Sequence, residues 1–242
     1  GVYRLQADSY SEVISKAFLE SHHRGVLIEE YILGYEYSVE AYTENGKVHN
    51  LAVTKKYHYD SNNCLDEQNT WLGDISSELE QELFDLNKKV IHALGLSFGI
   101  THAEFKVSNG KPYLIEIAAR GGGGSISNKV IPYLTGFEPA KTLICNLLGM
   151  PCNITIGDYK AKFAILKFFS FNPGKVKSVH INKKATEDLI EFQLDIKEGD
   201  IIRPVHDSRD RCGYFIIRSE NRQALQDKEK WVLESVIVEY EK

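Results

Sequence analysis

A short apolar strand in the middle of the chain ends in a carboxylate, an arginine and four consecutive glycines. The stretch reads LIEIAARGGGGSISN over residues 114–128 and carries Glu116, Arg120 and the glycines at 121–124. A packed core excludes such groups, because an unpaired buried charge is costly and glycine has no side chain to pack. The stretch therefore predicts a loop that approaches a ligand closely.

The same strand is the second half of a predicted hairpin. THAEFKVSNGKPYLIEIA has strand-like residues on both sides of Asn109-Gly110, a dipeptide typical of tight turns. With a three-residue loop at 109–111, Glu104 and Glu116 should stand opposite each other. Directly paired residues have Cβ atoms about 4.5–5.5 Å apart, so the carboxylates repel unless a cation lies between them. Mg²⁺ prefers carboxylate and phosphate oxygens, so the pair predicts Mg²⁺ bridging to a nucleotide polyphosphate.

Arg120 and the glycines extend this interpretation. An arginine binds phosphate through a fork of donors, and glycine backbone N–H groups can approach an anion at the start of a helix. Each feature alone has a simpler explanation, a solvated hairpin or a flexible loop. The order acid, hairpin, acid, arginine, glycines favours the ligand site.

Composition narrows the class of protein. The 242 residues suffice for one large domain or two small ones, and 43% of them are hydrophobic. A net charge of −5 argues against broad binding of nucleic acid or of an anionic membrane. Four cysteines without a C-x-x-C pair predict reduced thiols and a cytoplasmic protein. No apolar run is long enough to predict a membrane span.

Periodicity predicts an α+β fold. We expect an antiparallel sheet with flanking helices up to about residue 155, and a small β-rich domain over residues 156–242. Two strands are expected around Gly34 within 25–41, and a third after Asn45-Gly46. The polar segment 57–73 is predicted to be a loop. Predicted helices cover about residues 10–21, 77–94, 138–149 and 221–235.

Two segments resemble the ATP-grasp ligases. GVLIEEYILGYEYSVE is similar to the hinge segment of that family, and GITHAEFKVSNGKPYLIEIAARGGGG is similar to its metal-binding hairpin and phosphate loop. The resemblance covers about residues 1–150, and it implies the C-terminal part of an ATP-grasp domain. The segment after 156 is similar to the small domain that closes many carboxylate–amine ligases.

The resemblance implies a set of site residues by position. Adenine would be held by the carbonyl of Glu30 and the amide of Ile32, with Glu29 nearby. The remaining assignments are ribose at Glu36, Mg²⁺ at Glu104 and Glu116, the transferring phosphoryl group at Arg120, and an acceptor pocket at Lys55 and Asn128. Three arginines near a later turn, Arg203, Arg209 and Arg211, are candidates for a substrate carboxylate or for a solvated basic loop. His102 is predicted to be a hydrogen-bonded structural histidine.

Two departures from the family pattern stand out. The family commonly has Asn two residues after the second metal acid, where this chain has Ala118, so a second metal ion is in question. The phosphate-binding lysines and most of the lid of the family lie upstream of the hinge. Because the chain starts at Gly1 close to that hinge, we expect a fragment that lacks the N-terminal domain and is inactive alone.

The expected function of the whole protein is ATP-dependent ligation. ATP with Mg²⁺, or Mn²⁺ as the alternative metal, would convert a carboxylate into an acyl-phosphate, which an amine then attacks. Small-molecule carboxylates and amines are the expected partners, and exposed strand edges allow a homodimer. Two alternatives stay open: a nucleotide-binding or assembly module without chemistry, favoured by Ala118, and a carboxylase-like enzyme that forms carboxyphosphate.

Overall fold

Two antiparallel sheets organise the chain. The structure, a computed structural model, describes residues 2–5, 9–60, 62–71, 75–159 and 162–241. The large sheet has eight strands in the order β5-β4-β1-β2-β3-β6-β10-β8, and the small sheet has the order β11-β7-β9. The strands are β1 Tyr35–Glu44, β2 Lys47–Tyr59, β3 Asn62–Trp71, β4 Gly99–Ser108, β5 Lys111–Ala118, β6 Phe163–Phe168, β7 Gly174–Ile181, β8 Glu191–Leu194, β9 Ile201–Ile202, β10 Gly213–Ser219 and β11 Val236–Tyr240.

Five α-helices flank the sheets in the described part of the chain, and four of them lie where the periodicity predicts a helix. They are α1 Tyr10–Glu20, α2 Ser77–Ala93, α3 Ile131–Thr135, α4 Pro139–Leu147 and α5 Arg222–Glu234, with a π-helical turn at Ile126–Val130 before α3. The Ser76 side chain caps α2 by accepting from the Leu79 N–H at 3.2 Å. The helix is followed by Gly95 at φ 67°, a conformation that favours glycine.

The two faces of the large sheet differ in chemistry because side chains alternate along each strand. On β1, Tyr37 and Val39 are buried in an apolar cluster with Leu83 of α2 and Phe105 of β4. The residues between them point to the other face of the sheet, where helices α3 and α4 cover only part of the surface. Packing against α2 therefore leaves the opposite face of β1, β2 and β4 available for polar groups.

The hairpin of β4 and β5 forms with a shorter turn than predicted. Asn109 and Gly110 have φ values of 50° and 77° and make a two-residue turn, which alone would shift the predicted pairing by one position. A bulge between Glu104 and Phe105 restores the register, and Glu104 pairs with Glu116. The expected pairing is confirmed, although its assumed turn length is wrong.

The prediction of a loop at 57–73 is wrong. Residues 57–59 end β2, and residues 62–71 form β3, which pairs with both β2 and β6. Polar side chains of this segment contact other residues of the protein. The Asp66 carboxylate lies 3.3 Å from Lys56, and the Gln68 side chain accepts from Lys167 at 2.7 Å. Residues 72–74 lie outside the described part of the chain.

The strand predicted before Gly34 does not pair with another strand among the described residues. Residues 25–33 run outside the sheets, with Leu27 and Leu33 exposed. A strand is stabilised by its neighbours, and both edges of β1 are occupied by β2 and β4. The following turn at Asn45-Gly46 forms as predicted and joins β1 to β2.

The C-terminal segment continues the large sheet. Strand β6 pairs with β3 on one side and with β10 on the other. Helix α5 covers these strands through Leu225 and Val232, which are buried with Phe215. The proposed domain boundary near residue 155 stays a prediction. None of the helices in the described ranges is long and apolar enough to cross a membrane.

Gly34 should be far more sensitive to substitution than Gly46. A Cβ at Gly34 (φ 150°) would overlap the carbonyl oxygen of Val107, whereas a Cβ at Gly46 (φ 77°) meets nothing within 4 Å. We expect Gly34→Ala to lower the free energy of unfolding by about 2–4 kcal/mol, and Gly46→Ala by about 1 kcal/mol. Denaturant titration measures both. Equal losses would show that residue 34 does not contact β4 closely.

Candidate functional site

The face of the large sheet that points away from α2 carries a set of charged side chains. Alternation along β1 places Glu36, Ser38 and Glu40 on this face. Their cross-strand neighbours include Lys56 of β2, paired with Glu36, and Glu104 of β4, paired with Ser38. Most of these residues are buried, so each charge needs a partner within the protein.

Lys56 is the common partner of three carboxylates. Its Nζ lies 2.7 Å from Glu104 Oε1, 2.9 Å from Glu36 Oε1 and 3.3 Å from Asp66 Oδ2. The lysine side chain is only 6% exposed. Burial alone would lower the pKa of Lys56, but the three nearby negative charges outweigh it and raise the pKa above the ordinary value. Lys56 is therefore held charged at the centre of the site.

Glu36 has two further basic neighbours. His58 Nε2 lies 3.3 Å from Glu36 Oε2, and Lys106 Nζ lies 3.4 Å from the same oxygen. Burial alone would raise the pKa of Glu36, but the hydrogen bond from His58 and the charge of Lys56 lower it to about 2. Three side chains each offer one possible metal-ligand atom, and these three atoms lie within 4.8 Å of one another: Glu36, His58 and Asp66. This spacing would suit a metal ion. Lys56 already contacts two of these three groups.

Glu40 connects the glycine loop, through His102, to Glu104, one of the two predicted Mg²⁺ ligands. One of its carboxylate oxygens bonds to His102 Nδ1, and the other accepts from the Gly122 N–H at 3.2 Å and from the Ser127 hydroxyl at 3.0 Å. The other ring nitrogen of His102 lies 3.1 Å from Glu104 Oε1. Glu40 is 1% exposed, so this chain of contacts is fixed inside the protein.

The contacts of His102 determine its charge and that of Glu104. Burial alone would lower the pKa of His102, but hydrogen bonds to Glu104 and Glu40 raise it to about 9. Burial alone would raise the pKa of Glu104, but His102 and Lys56 lower it to about 2. Near neutral pH the site therefore contains an imidazolium between two carboxylates.

Glu104 and Glu116 are paired across β4 and β5, and their environments differ. Glu104 is partly buried and bonded to Lys56, whereas Glu116 is exposed and has no hydrogen bond or ion pair within the described ranges. A carboxylate without a protein partner can still accept a cation. This donor set fits Mg²⁺, which usually takes one or two protein carboxylates. At the position across from Ala118, the chain has His102.

The glycine loop passes tightly over this face. A Cβ at residue 121 would overlap the Ser127 hydroxyl, and a Cβ at residue 122 would overlap Glu40. Glycine is therefore required for the backbone to reach Glu40. Arg120 precedes the loop, is exposed and donates from Nη1 to the Gly121 carbonyl at 2.9 Å. Its remaining donors are available to a ligand.

A cavity of about 430 Å³ lies between the glycine loop and the sheet. Its lining includes Glu104, Arg120 and three of the glycines, together with Phe168 and Arg211 of the C-terminal segment. The volume falls in the range of small-molecule sites. Residues from the first 126 positions and from the C-terminal segment thus line the same cavity.

The structure brings some predicted residues together and leaves others apart. Glu104 and Arg120 line the cavity, and Glu36 joins it through Lys56. The predicted adenine-binding residues lie outside the sheets and do not line this cavity: Glu29, Glu30 and Ile32. Asn128 is exposed in the π-helical turn. Lys55 contacts Tyr35 and Tyr57 on the other face, so Lys56 rather than Lys55 lines the cavity.

Several residues of the site are not predicted by the sequence pattern. The missed residues are Glu40, Lys56, His58, Asp66 and Asn69, of which Lys56, Asp66 and Asn69 line the cavity. Alternation from Glu36 could have identified Glu40, because residues four positions apart share a strand face. Asp66 was not predicted as a site residue, because its segment was predicted to be a loop rather than a strand. His102 is hydrogen-bonded as expected, within the site itself.

Sequence comparison identifies the family to which the chain belongs. The profile of the ATP-grasp domain family matches residues 4–129, just over half of the 242 residues. The chain therefore belongs to the ATP-grasp family, and both the resemblance and the predicted fold class are confirmed. A second profile, described as L-amino acid ligase C-terminal domain 2, matches residues 167–241.

Solved structures of ligases and carboxylases share the fold. L-amino acid ligase from Bacillus licheniformis superposes with a TM-score of 0.81 at 16% identity, covering 99% of this chain and 62% of that one. Phosphoribosylglycinamide synthetase from Anaerococcus prevotii gives 0.74 at 17% identity, with 98% and 61% covered. The biotin carboxylase domain of Hydrogenobacter thermophilus 2-oxoglutarate carboxylase, solved with MgADP and bicarbonate, gives 0.69 at 15%, with 96% and 53% covered. The chain thus spans about three fifths or less of these relatives. No curated protein matches the sequence significantly.

Removal of one acceptor from Glu40 should loosen the glycine loop. In Glu40→Gln an amide NH₂ replaces a carboxylate oxygen, so either His102 or the donors of Gly122 and Ser127 lose their acceptor. We expect the free energy of unfolding to fall by about 1–3 kcal/mol. Glu44→Gln is the control, because Glu44 lies on the same strand, is partly exposed and keeps an acceptor for Asn146. Denaturant titration that finds equal effects would contradict the role of Glu40.

Stability should fall as pH rises through the titration of His102. Because folding raises the pKa of His102 from 6.5 to about 9, its contribution is complete below pH 6.5 and is lost as pH approaches 9. We expect a loss of about 1–3 kcal/mol over this interval in EDTA, and a smaller slope in His102→Asn. The pKa values of Glu36 and Glu104 are lowered, so their contribution is lost only as pH falls from 4.5 toward 2. Parallel slopes for the two proteins between pH 6.5 and 9 would contradict the assignment.

Proposed function

We propose that this chain is part of an ATP- and Mg²⁺-dependent carboxylate–amine ligase. The observation that supports it most is the convergence of paired acids, Arg120 and the glycine loop on one cavity of an ATP-grasp fold. The C-terminal profile named for L-amino acid ligases favours amino acids as the first substrates to test. Mn²⁺ is the alternative metal ion.

The reaction proceeds in two displacements. A carboxylate oxygen of the substrate attacks the γ-phosphorus of ATP, the bond from that phosphorus to the β–γ bridging oxygen breaks, and ADP leaves. The amine then attacks the carbonyl carbon of the acyl-phosphate, phosphate departs with the electron pair of the carbon–oxygen bond, and the nitrogen loses a proton to solvent. Glu104 and Glu116 would hold Mg²⁺, which would supply positive charge to the phosphate oxygens.

The side chains of this protein position the reactants and balance charge. Arg120 donates to the transferring phosphoryl group, and the glycine N–H groups surround its oxygens. His102 and Lys56 keep Glu104 ionised. Glu36 is assigned to ribose, and Glu29, Glu30 and Ile32 to adenine, on the basis of the family pattern.

The activity is proposed for a longer protein of which this chain is a part. The chain spans 62% of the Bacillus ligase, and the family resemblance assigns phosphate-binding lysines to an upstream region. The four cysteines are free thiols, which supports a cytoplasmic location. A homodimer stays part of the proposal, with small-molecule carboxylates and amines as partners.

A nucleotide-binding module without chemistry is the second candidate, and Ala118 favours it. The full-length protein should be incubated with ATP, Mg²⁺ and a panel of carboxylates and amines, with bicarbonate as a further acceptor. Substrate-dependent ADP release, together with hydroxamate formation in hydroxylamine, is expected for the ligase. Tight ATP binding without ADP release from any combination would favour the binding module. ADP release dependent on bicarbonate would favour a carboxylase.

Glu116→Gln in the full-length protein should abolish Mg²⁺-dependent turnover. The amide is neutral and a weaker metal ligand, and Glu116 is exposed, so folding should be preserved. We expect kcat to fall by at least about a hundredfold, without a change in melting temperature. Glu138→Gln is the control, because Glu138 is exposed and its ion-pair partner, at 2.9 Å, is the surface residue Lys141. Turnover that survives in Glu116→Gln would remove this residue from the metal site.

A further inference from the structure

The three arginines of the late turn have different environments. Arg203 and Arg209 are exposed, and the guanidinium of Arg209 pairs with Asp207 at 2.6 Å. Arg211 instead lines the cavity together with Arg120. Of the three arginines, Arg211 is therefore the one placed to meet a ligand in the cavity.

The guanidinium of Arg211 is fixed in place by neutral groups. Its Nη2 donates to the backbone carbonyl of Asp66 at 2.5 Å, and its Cζ lies 3.7 Å from the centroid of the Phe168 ring. The buried Tyr59 hydroxyl is close enough to influence its pKa, yet neither that hydroxyl nor Arg211 Nε has a well-aligned hydrogen-bond partner in the described part of the chain. A ligand would meet a preorganised cation.

The positive charge of Arg211 has no carboxylate within ion-pair distance among the described residues. The nearest candidate, the side chain of Asp66, contacts Lys56 and His58 instead. Burial lowers the pKa of Arg211, which reflects the cost of desolvating this charge. A half-buried guanidinium that lines an open cavity and has no carboxylate within ion-pair distance among the described residues favours an anionic ligand.

Arg211 reaches the cavity from a different part of the sheet than Glu104 does. Its two contacts belong to β3 and β6, whereas Glu104 lies on β4, three strands from β3. Arg120 and the glycine amides are already assigned to the phosphoryl group, which leaves Arg211 for a second anion in the same cavity.

We propose that Arg211, held in the cavity lining by the Asp66 carbonyl and the Phe168 ring, binds a substrate carboxylate that does not react. This inference rests on the proposed function, because it assigns one end of the substrate in that reaction. It predicts that a productive substrate carries a free carboxylate in addition to its reacting group. A planar guanidinium matches both oxygens of a carboxylate, and stacking on Phe168 fixes its orientation.

The test compares two Arg211 variants in the full-length protein. The probes are the common L-amino acids and their carboxamides, tested for binding by calorimetry and for ADP release. For Arg211→Gln we expect binding of the productive amino acid to weaken by roughly tenfold to a hundredfold, with KM for ATP unchanged. Arg211→Lys keeps the charge without the planar fork, so its binding should be intermediate. Arg209→Gln should bind as the wild type does.

Discrimination against the carboxamide is the decisive readout. Wild-type protein should prefer the amino acid to its amide, and Arg211→Gln should bind the two alike. The proposal would be overturned if Arg211→Gln lost affinity equally for the amino acid and for its carboxamide. It would also be overturned if a folded Arg211→Gln or Arg211→Lys variant still preferred the amino acid as strongly as the wild type does. If inorganic phosphate competes for Arg211 but no carboxylate does, the proposal fails as well. Carboxylate binding that needs Arg211 without ADP release would support this site and refute the ligase.

Discussion

The site depends on one buried lysine that three carboxylates share. Lys56 contacts Glu36, Asp66 and Glu104, which come from three different strands. Charged groups inside a protein are tolerated only where partners replace water. Because strand alternation sends the apolar residues of β1 toward α2, the opposite face can concentrate these charges without disturbing the core. The stability of the sheet and the polarity of the cavity therefore have the same structural origin.

The glycine loop is connected to this network through Glu40. Its carboxylate contacts Gly122 and Ser127 on one side and His102 on the other, and His102 contacts Glu104. A movement of the loop would thus change the environment of Glu104, the proposed Mg²⁺ ligand, through Glu40 and His102. Since the glycines leave no side chain at the contact, the distance between loop and sheet is set by the backbone itself.

Sequence patterns predicted the parts of this arrangement that follow from local rules. The helix α2 has a clear apolar stripe and a serine cap, and Asn109-Gly110 marks the β4–β5 turn. Patterns failed where tertiary partners decide the outcome. β3 is polar because Asp66 faces Lys56, and no local rule separates such a strand from a loop. The Glu104–Glu116 pairing was predicted from an incorrect turn length. It forms because a bulge, which no sequence pattern indicated, corrects the register of the two strands.

The same network limits how a cation can enter the site. Glu104 Oε1 is already shared by Lys56 and His102, at 2.7 and 3.1 Å, whereas Glu116 is exposed. A divalent ion can therefore bind Glu116 without displacing a protein group, but its approach to Glu104 brings two positive charges close to it. The repulsion is relieved where phosphate oxygens arrive together with the ion, because they supply the missing negative charge. If the site binds Mg²⁺ as proposed, the position of Lys56 therefore favours the metal–nucleotide complex over the free ion.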